Sequence, residues 1–154
     1  MKNETEVLTD IIQHISEVRE NIEAFAGALR NRGISHDRSK LNACEFDAFV
    51  STNEDFKKAD YGSPEYQKCV EAIKPAVDHH YANNRHHTGY HQNGINDMTL
   101  VDIVEMVCDW KAAARRSPNK SFADTLTYAF KKYGINDQLQ QILINTFQAL
   151  GWIK

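Results

Sequence analysis

Apolar residues recur at three- and four-residue intervals along most of the chain, and this spacing is the feature that most constrains its fold. One helical stripe over residues 4–30 contains Val7, Ile11, Ile15, Val18, Ile22, Phe25 and Leu29. No run rich in Val, Ile and Thr alternates with polar residues between turns, as a strand would require. The pattern predicts an all-α protein, a bundle of five to six helices in a single domain over residues 1–154.

Turn and capping residues predict where the first helices begin and end. Gly33 is placed to end the first helix in a left-handed cap. A second helix is expected to begin at residues 35–38, with HDRSK as its first turn, and to loosen at residues 51–53. Ser63 and Pro64 predict a third start, because serine caps free amides and proline loses no hydrogen bond at the first position.

The middle of the chain is predicted to contain an interrupted helix, a loop and a long helix. Pro75 removes a backbone donor and should kink the third helix or divide it in two. Residues 88–97 are rich in Gly and Asn and predict an irregular loop. Either Asn96 or Asp97 is then positioned to cap a helix over residues 98–116.

Turn and capping residues also predict the helix boundaries in the last third of the chain. Residues 117–119 (Ser-Pro-Asn) predict a turn, and Ser121 followed by Asp124 resembles a capping signal for a helix that Gly134 closes. A final helix is expected over residues 137–150.

Charge and cysteine content exclude several classes of protein. The 18 basic and 21 acidic residues give a net charge of -3, which carries no strong signal for nucleic acid. The N-terminus is acidic where a signal peptide is basic, and no apolar run is long enough to span a membrane. Three cysteines without a CxxC pair favour buried thiols in a reducing compartment. We therefore expect a cytoplasmic protein, in the host cytoplasm if it is phage-encoded.

The clustering of histidines is the main indication of function. Five of the seven fall within thirteen residues: His79, His80, His86, His87 and His91. The stretch is neither terminal nor repetitive, so an expression tag or low-complexity tract does not explain it, although a solvated loop would. His80 follows Val77 by three residues and should face inward, whereas His79 points more to the side.

Two further histidines lie upstream and have ordinary structural explanations as well. His14 falls on the apolar stripe of the first helix, so its imidazole should point inward unless the helix is solvated on that side. An inward imidazole would be either a ligand or a hydrogen-bonded core histidine. His36 and Asp37 are adjacent at a helix start, where irregular backbone lets two side chains converge, although Asp37 alone could be a cap.

An acidic line follows on the helix predicted over residues 98–116. Asp102, Glu105 and Asp109 lie at three- and four-residue steps, so they are either solvated or neutralised by a cation. Trp110 favours burial at the Asp109 end, because tryptophan seeks the core. If Asp102 faces water, its replacement by Asn should be nearly silent.

The order His, His-Asp, His, His-His, Asp resembles that of the HD-domain metal-dependent phosphohydrolases, which are all-helical enzymes. The strings HDRSK (36–40), HHYANNRHHTGY (79–90) and EMVCDW (105–110) also look like an uncharacterised bacterial and phage family related to that superfamily. The resemblance implies four core metal ligands: His14, His36, Asp37 and Asp109. It implies that His80 and one of His86 or His87 are available for a second ion.

A set of imidazole and carboxylate ligands suits one or two divalent ions of Mn, Mg, Co, Fe, Zn or Ni. The metal would activate water, Asp37 would belong to the catalytic site, and Glu105 could take the proton. Five polar or cationic side chains near these ligands could bind a phosphate: Arg38, Lys40, Asn84, Arg85 and Lys111. Surface salt bridges would explain the cations equally well.

These features favour a phosphohydrolase acting on a nucleotide, which could be a signalling nucleotide, or on another small phosphate ester. The alternative is a non-catalytic, metal-stabilised helical binding protein or phage accessory protein. A di-iron oxidase ranks last, because paired Glu-x-x-His motifs are lacking. A homo-oligomer remains possible on either interpretation.

Overall fold

The computed structural model describes residues 3–60, 62–115 and 121–154, and within these ranges it contains seven α-helices and no strand. The all-α prediction is confirmed, with slightly more helices than the expected five to six. The helices are α1 (Glu4–Ser35), α2 (Ala43–Lys58), α3 (Pro64–Ala72), α4 (Lys74–Asn83), α5 (Leu100–Ala114), α6 (Phe122–Lys132) and α7 (Asp137–Ala149). Short 3-10 helices cover Arg38–Leu41, Thr88–Tyr90 and Gly94–Asp97.

The helices fall into two compact units, the first ending at Ser35 and the second beginning at His36. The first unit consists of α1, and none of its residues is buried. His14 is exposed, so the condition for an inward-pointing imidazole, a helix that is not solvated on that side, is not met. The prediction of one domain over residues 1–154 stays a prediction.

The end of α1 differs from the predicted one. Gly33 lies inside the helix and has no positive φ, so it forms no left-handed cap. The left-handed residue is Asp37, with φ 55°, a conformation that Asp tolerates better than most residues. HDRSK is therefore a turn leading into the 3-10 helix Arg38–Leu41, and the first turn of α2 begins later, at Ala43.

Helix α2 also continues beyond residues 51–53, where it was expected to loosen. The hydroxyls of Ser51 and Thr52 both donate hydrogen bonds to the carbonyl of Ala48, at 2.8 and 2.9 Å. Hydroxyl groups that bond back to the preceding turn are accommodated inside a helix, so they do not end it here.

The signals around the third helix are confirmed. The Ser63 hydroxyl accepts a hydrogen bond from the Tyr66 amide at 3.1 Å, and Pro64 is the first helical residue. Pro75 lies in the first turn of α4, so the predicted interruption divides the segment into two helices joined at Ile73.

The cap of α5 is Thr99, and the prediction of Asn96 or Asp97 is wrong. Thr99 and Asp102 form a capping box, in which each side chain accepts a hydrogen bond from the other residue's amide. The Asp97 carboxylate instead accepts from the Asn93 amide at 2.9 Å, within its own short 3-10 turn. The predicted helix end at Arg116 and the turn at residues 117–119 lie outside the described residues.

The hydrophobic core of the second unit lies among α5, α6 and α7. Its members include Met106, Val107, Trp110, Phe122, Leu126, Phe130, Leu143 and Phe147. The predicted capping of α6 by Ser121 and its closure by Gly134, at φ 61°, are confirmed. The core fixes one face of α5, and Glu105 and Asp109 on this helix contact His36, in the turn before the 3-10 helix Arg38–Leu41. Glu105 also lies close to His86, in the loop after α4.

The exposure of the cysteines and the hydropathy of the helices bear on two expectations from the sequence. The cysteines are unpaired, but Cys44 and Cys108 are exposed and Cys69 is partly exposed, so the expected burial of the thiols is wrong. Among the described residues, no helix is both long enough and apolar enough to cross a membrane.

Candidate metal centre

The left-handed Asp37 places a carboxylate among three imidazoles. Its Oδ1 lies 3.3 Å from His80 Nε2 on α4 and 3.5 Å from His86 Nε2 in the following loop. His87 Nε2 is 2.9 Å from His80 Nε2. One ligand atom from each of these four residues can be chosen so that all lie within 4.8 Å of one another, which is close enough to hold a metal ion.

Three buried atoms in this group make no hydrogen bond: Asp37 Oδ1 and both ring nitrogens of His86. His86 Nδ1 lies on the side of the ring that faces Glu105, whereas His86 Nε2 faces Asp37 Oδ1 at 3.5 Å. Buried polar atoms are nearly always satisfied, so the two facing atoms, Asp37 Oδ1 and His86 Nε2, indicate a missing ligand. Carboxylate oxygen and imidazole nitrogen are donors that divalent ions accept, so the residues fit a cation.

A second group shares Asp37. His36 Nε2 is 3.4 Å from Asp37 Oδ2 and 3.7 Å from Asp109 Oδ1 on α5. The two oxygens of Asp37 therefore face different groups. A third set, with His36, His86 and Glu105, overlaps both.

Glu105 lies behind two of the imidazoles. Its Oε1 accepts a hydrogen bond from His36 Nδ1 at 2.9 Å and is 3.2 Å from His86 Nδ1. A carboxylate bonded to the far nitrogen of an imidazole fixes the ring and its tautomer. The structure thus gives Glu105 an orienting contact, which the sequence analysis did not foresee when it proposed a proton acceptor.

Glu45 provides a similar contact, and the sequence analysis missed it. It is fully buried in the first turn of α2, with Oε1 2.6 Å from His79 Nδ1 and Oε2 2.9 Å from His80 Nδ1. An acidic residue at a helix start usually indicates an interaction with the helix dipole, so nothing in the sequence distinguishes this one. Its contact with Nδ1 leaves His80 Nε2 directed at Asp37.

Charge and burial set the protonation of the group. Hydrogen bonds to Asp109 and Glu105 raise the pKa of His36 to about 10. Burial and the neighbouring imidazoles of His86 and His80 lower the pKa of His87 to about 3, so this ring is neutral. Burial alone raises the pKa of Asp37, but His80 and Lys40 outweigh it and hold the pKa far below its usual range. A neutral imidazole beside an ionised carboxylate is suited to a cation.

The predicted substrate-binding residues separate into different environments. Lys40 forms an ion pair with Asp37 Oδ2, and Arg38 is exposed nearby in the chain. Asn84 is buried, and its amide donates to Ser39 Oγ at 2.6 Å and to the His80 carbonyl at 2.7 Å. Asn84 therefore braces the segment that carries His80.

Arg85 and Lys111 have protein partners away from the histidines. Arg85 pairs with Asp102, at 3.2 Å from each carboxylate oxygen, and lies over the Tyr90 ring. Lys111 donates to the Trp152 carbonyl at 3.2 Å. Asp102 is fully buried, so the condition under which Asp102→Asn would be nearly silent is not met.

A cavity of about 660 Å³ opens beside the metal-binding groups. Lys40, His86, His87 and Asp109 line one part of it. The remaining wall is largely aromatic and apolar: Tyr81, Met106, Trp110, Ala113, Ala114, Tyr128, Ala129 and Tyr133. Lys132 adds a cation there, 5.1 Å from the Tyr133 ring centroid. Nothing in the sequence distinguishes this wall, because its residues follow the apolar spacing of any amphipathic helix.

The structure therefore brings together six of the seven predicted metal ligands: His36, Asp37, His80, His86, His87 and Asp109. His14, on α1 in the first unit, is in none of the groups found among the described residues, and its role as a ligand stays a prediction. No curated protein and no solved structure matches the chain. The model of a family of unknown function, DUF5662, matches residues 3–149, so the chain belongs to that family.

Proposed function

We propose that the protein is a metal-dependent phosphohydrolase that acts on a small phosphate ester, with a nucleotide as one candidate. The main support is the pair of facing buried atoms that make no hydrogen bond, Asp37 Oδ1 and His86 Nε2, beside a cavity with room for an organic group. The resemblance of the ligand order to HD-domain phosphohydrolases points to the same chemistry. Fold alone would not, because helical bundles serve many functions.

The residues that would hold the ions are Asp37 with His80, His86 and His87, and Asp37 with His36 and Asp109. A divalent ion bound there would supply Lewis acidity toward a phosphoryl group and would lower the pKa of water. Glu45 and Glu105 orient the imidazoles from behind, so the rings need little rearrangement.

The rest of the cavity suggests how a substrate would lie. Lys40 is the cation next to Asp37 that also lines the cavity, so it would meet phosphate oxygens. Trp110, Tyr128 and Tyr133 offer apolar and aromatic surface for the organic part of the ester. We assign no substrate contact to Arg85 or Lys111. Arg85 donates hydrogen bonds to the Asp102 carboxylate, and Lys111 donates to the Trp152 carbonyl.

The test is turnover by protein purified without a histidine tag and loaded separately with Mn, Co, Mg, Fe, Ni or Zn. We expect release of inorganic phosphate from at least one ester in a panel that includes nucleotides and sugar phosphates. Asp37→Ala, His36→Ala and Asp109→Ala should each lose metal and activity, since methyl groups cannot replace these ligands. Asp47→Ala, at an exposed position of α2, is the control and should retain both.

A non-catalytic metal-stabilised protein is the second candidate. It is favoured by one observation: the ligands come from the 3-10 region, α4, the loop after it and α5, so an ion would tie these segments together. Stoichiometric metal without turnover of any ester, under every metal tested, would favour this candidate over the enzyme. Full metal content in Asp37→Ala would contradict both the enzyme and the non-catalytic candidate.

A further inference from the structure

Helix α1 carries a continuous apolar stripe, and none of the residues of this helix is buried. Its residues fit a heptad repeat, with Leu8, Ile15, Ile22 and Leu29 at position a and Ile11, Val18 and Phe25 at position d. Six of these seven side chains are between 42% and 62% exposed. A sustained a/d repeat over three heptads is typical of helices that pack against other helices in a coiled coil.

Near each end of this stripe the flanking positions extend its apolar surface, whereas His14, Arg19 and Asn21 take those positions in the middle. Val7 and Ile12, at positions g and e, are also exposed, and Ala26 and Ala28 take the same positions near the other end. The opposite face is polar and acidic: Asp10, Gln13, Ser16, Glu17, Glu20 and Glu23. One side of α1 therefore requires a partner, because a helix with an exposed apolar face is marginal in water.

Length indicates which partner fits. The stripe from Leu8 to Leu29 is about 32 Å long at 1.5 Å per residue. The longest described helix of the second unit, α2, has 16 residues and is only about 24 Å long by the same rise. A second α1, with 32 residues, matches the stripe along its whole length and presents the same heptads.

We propose that copies of this chain associate through α1, forming a helical bundle of α1 helices. Eight of the nine large apolar side chains are between 42% and 62% exposed, so together they offer an area comparable to the roughly 800 Å² per partner of a standard interface. Ile11 and Val18 are β-branched residues at position d, which favours three or four helices over two. This assignment is independent of the proposed catalytic activity.

The test is the mass of the full chain in solution, measured by light scattering across a range of concentrations. Wild type should have a mass of several times 17.6 kDa, the mass of one chain. Ile15→Lys/Ile22→Lys places charges at two a positions and should reduce the mass to that of one chain. Gln13→Lys/Ser16→Lys adds the same charge on the polar face and should keep the wild-type mass.

Folding of the variants is checked through Trp110 and Trp152, which both belong to the second unit and pack in or against its core. Their fluorescence and near-UV circular dichroism should be unchanged in the lysine variants. A monomeric wild type would overturn the proposal. So would an a-position variant that keeps the oligomer. A monomeric wild type whose second unit is destabilised by Ile15→Lys/Ile22→Lys would show that the stripe packs within its own chain.

Discussion

Two acidic residues, Glu45 and Asp102, are completely buried, although each lies in the first turn of a helix. Sequence reasoning treats such residues as exposed groups that interact with the helix dipole. Their burial depends on partners distant in the chain, His79 and His80 for Glu45 and Arg85 for Asp102. Local spacing contains no information about those partners. The sequence therefore predicted candidate metal ligands, but not the buried carboxylates that support them.

For Glu45, we predict an effect on metal affinity. Glu45→Gln keeps the shape but removes the charge, and its amide nitrogen cannot accept from either imidazole. Loss of such an orienting contact should weaken metal binding about 10- to 100-fold, as measured by titration of the metal-free protein. Glu54→Gln, on the same helix but paired with Lys57 at the surface, should leave the affinity unchanged. Equal affinities for the two variants would contradict an orienting role.

For Asp102, we predict an effect on stability. Asp102→Ala removes a capping box and the charged partner of Arg85, so the free energy of unfolding should fall by about 1–3 kcal/mol. Asp124→Ala removes the equivalent box of α6 from an exposed site and should cost about 1 kcal/mol. Urea unfolding followed by tryptophan fluorescence measures both. If Asp124→Ala costs as much, the burial of Asp102 contributes nothing.

Helix boundaries show which sequence signals are reliable. Ser63 with Pro64, and Ser121 with Asp124, were predicted because the cap and its amide partner are three residues apart. Gly33 failed as a terminator because glycine permits a left-handed conformation without requiring one. The actual left-handed residue, Asp37, is stabilised by contacts with Lys40 and distant imidazoles, which helix-stop rules do not consider.

This distinction predicts opposite effects for two glycine substitutions. Gly134→Ala places a Cβ at φ 61° in the cap of α6 and should destabilise the protein by about 1 kcal/mol. Gly27→Ala lies inside α1, where a Cβ would meet nothing within 4 Å, and should increase helix stability by up to about 1 kcal/mol. Thermal unfolding followed by circular dichroism compares the two. A stabilising Gly134→Ala would refute the left-handed cap.

On the scale of the whole molecule, an ion would join residues that are far apart in the chain, from His36 to Asp109. Metal binding should therefore stabilise the folded state of the second unit, by about 2.7 kcal/mol when free metal exceeds its dissociation constant 100-fold. Calorimetry before and after chelation should show a lower melting temperature for the metal-free protein. Asp37→Asn should melt at the same temperature with and without chelator. A chelator-sensitive Asp37→Asn would place the ion elsewhere.

The left-handed backbone at Asp37 also limits which amino acids can occupy position 37. The conformation favours Gly, Asn and Asp, whereas coordination favours Asp, so the two requirements overlap in a single amino acid. In a saturation library at position 37, selection for folded protein alone should retain all three residues. Selection for bound metal should retain Asp only. Ser39, a neighbouring residue in the 3-10 helix, has no positive φ and would have no comparable conformational restriction.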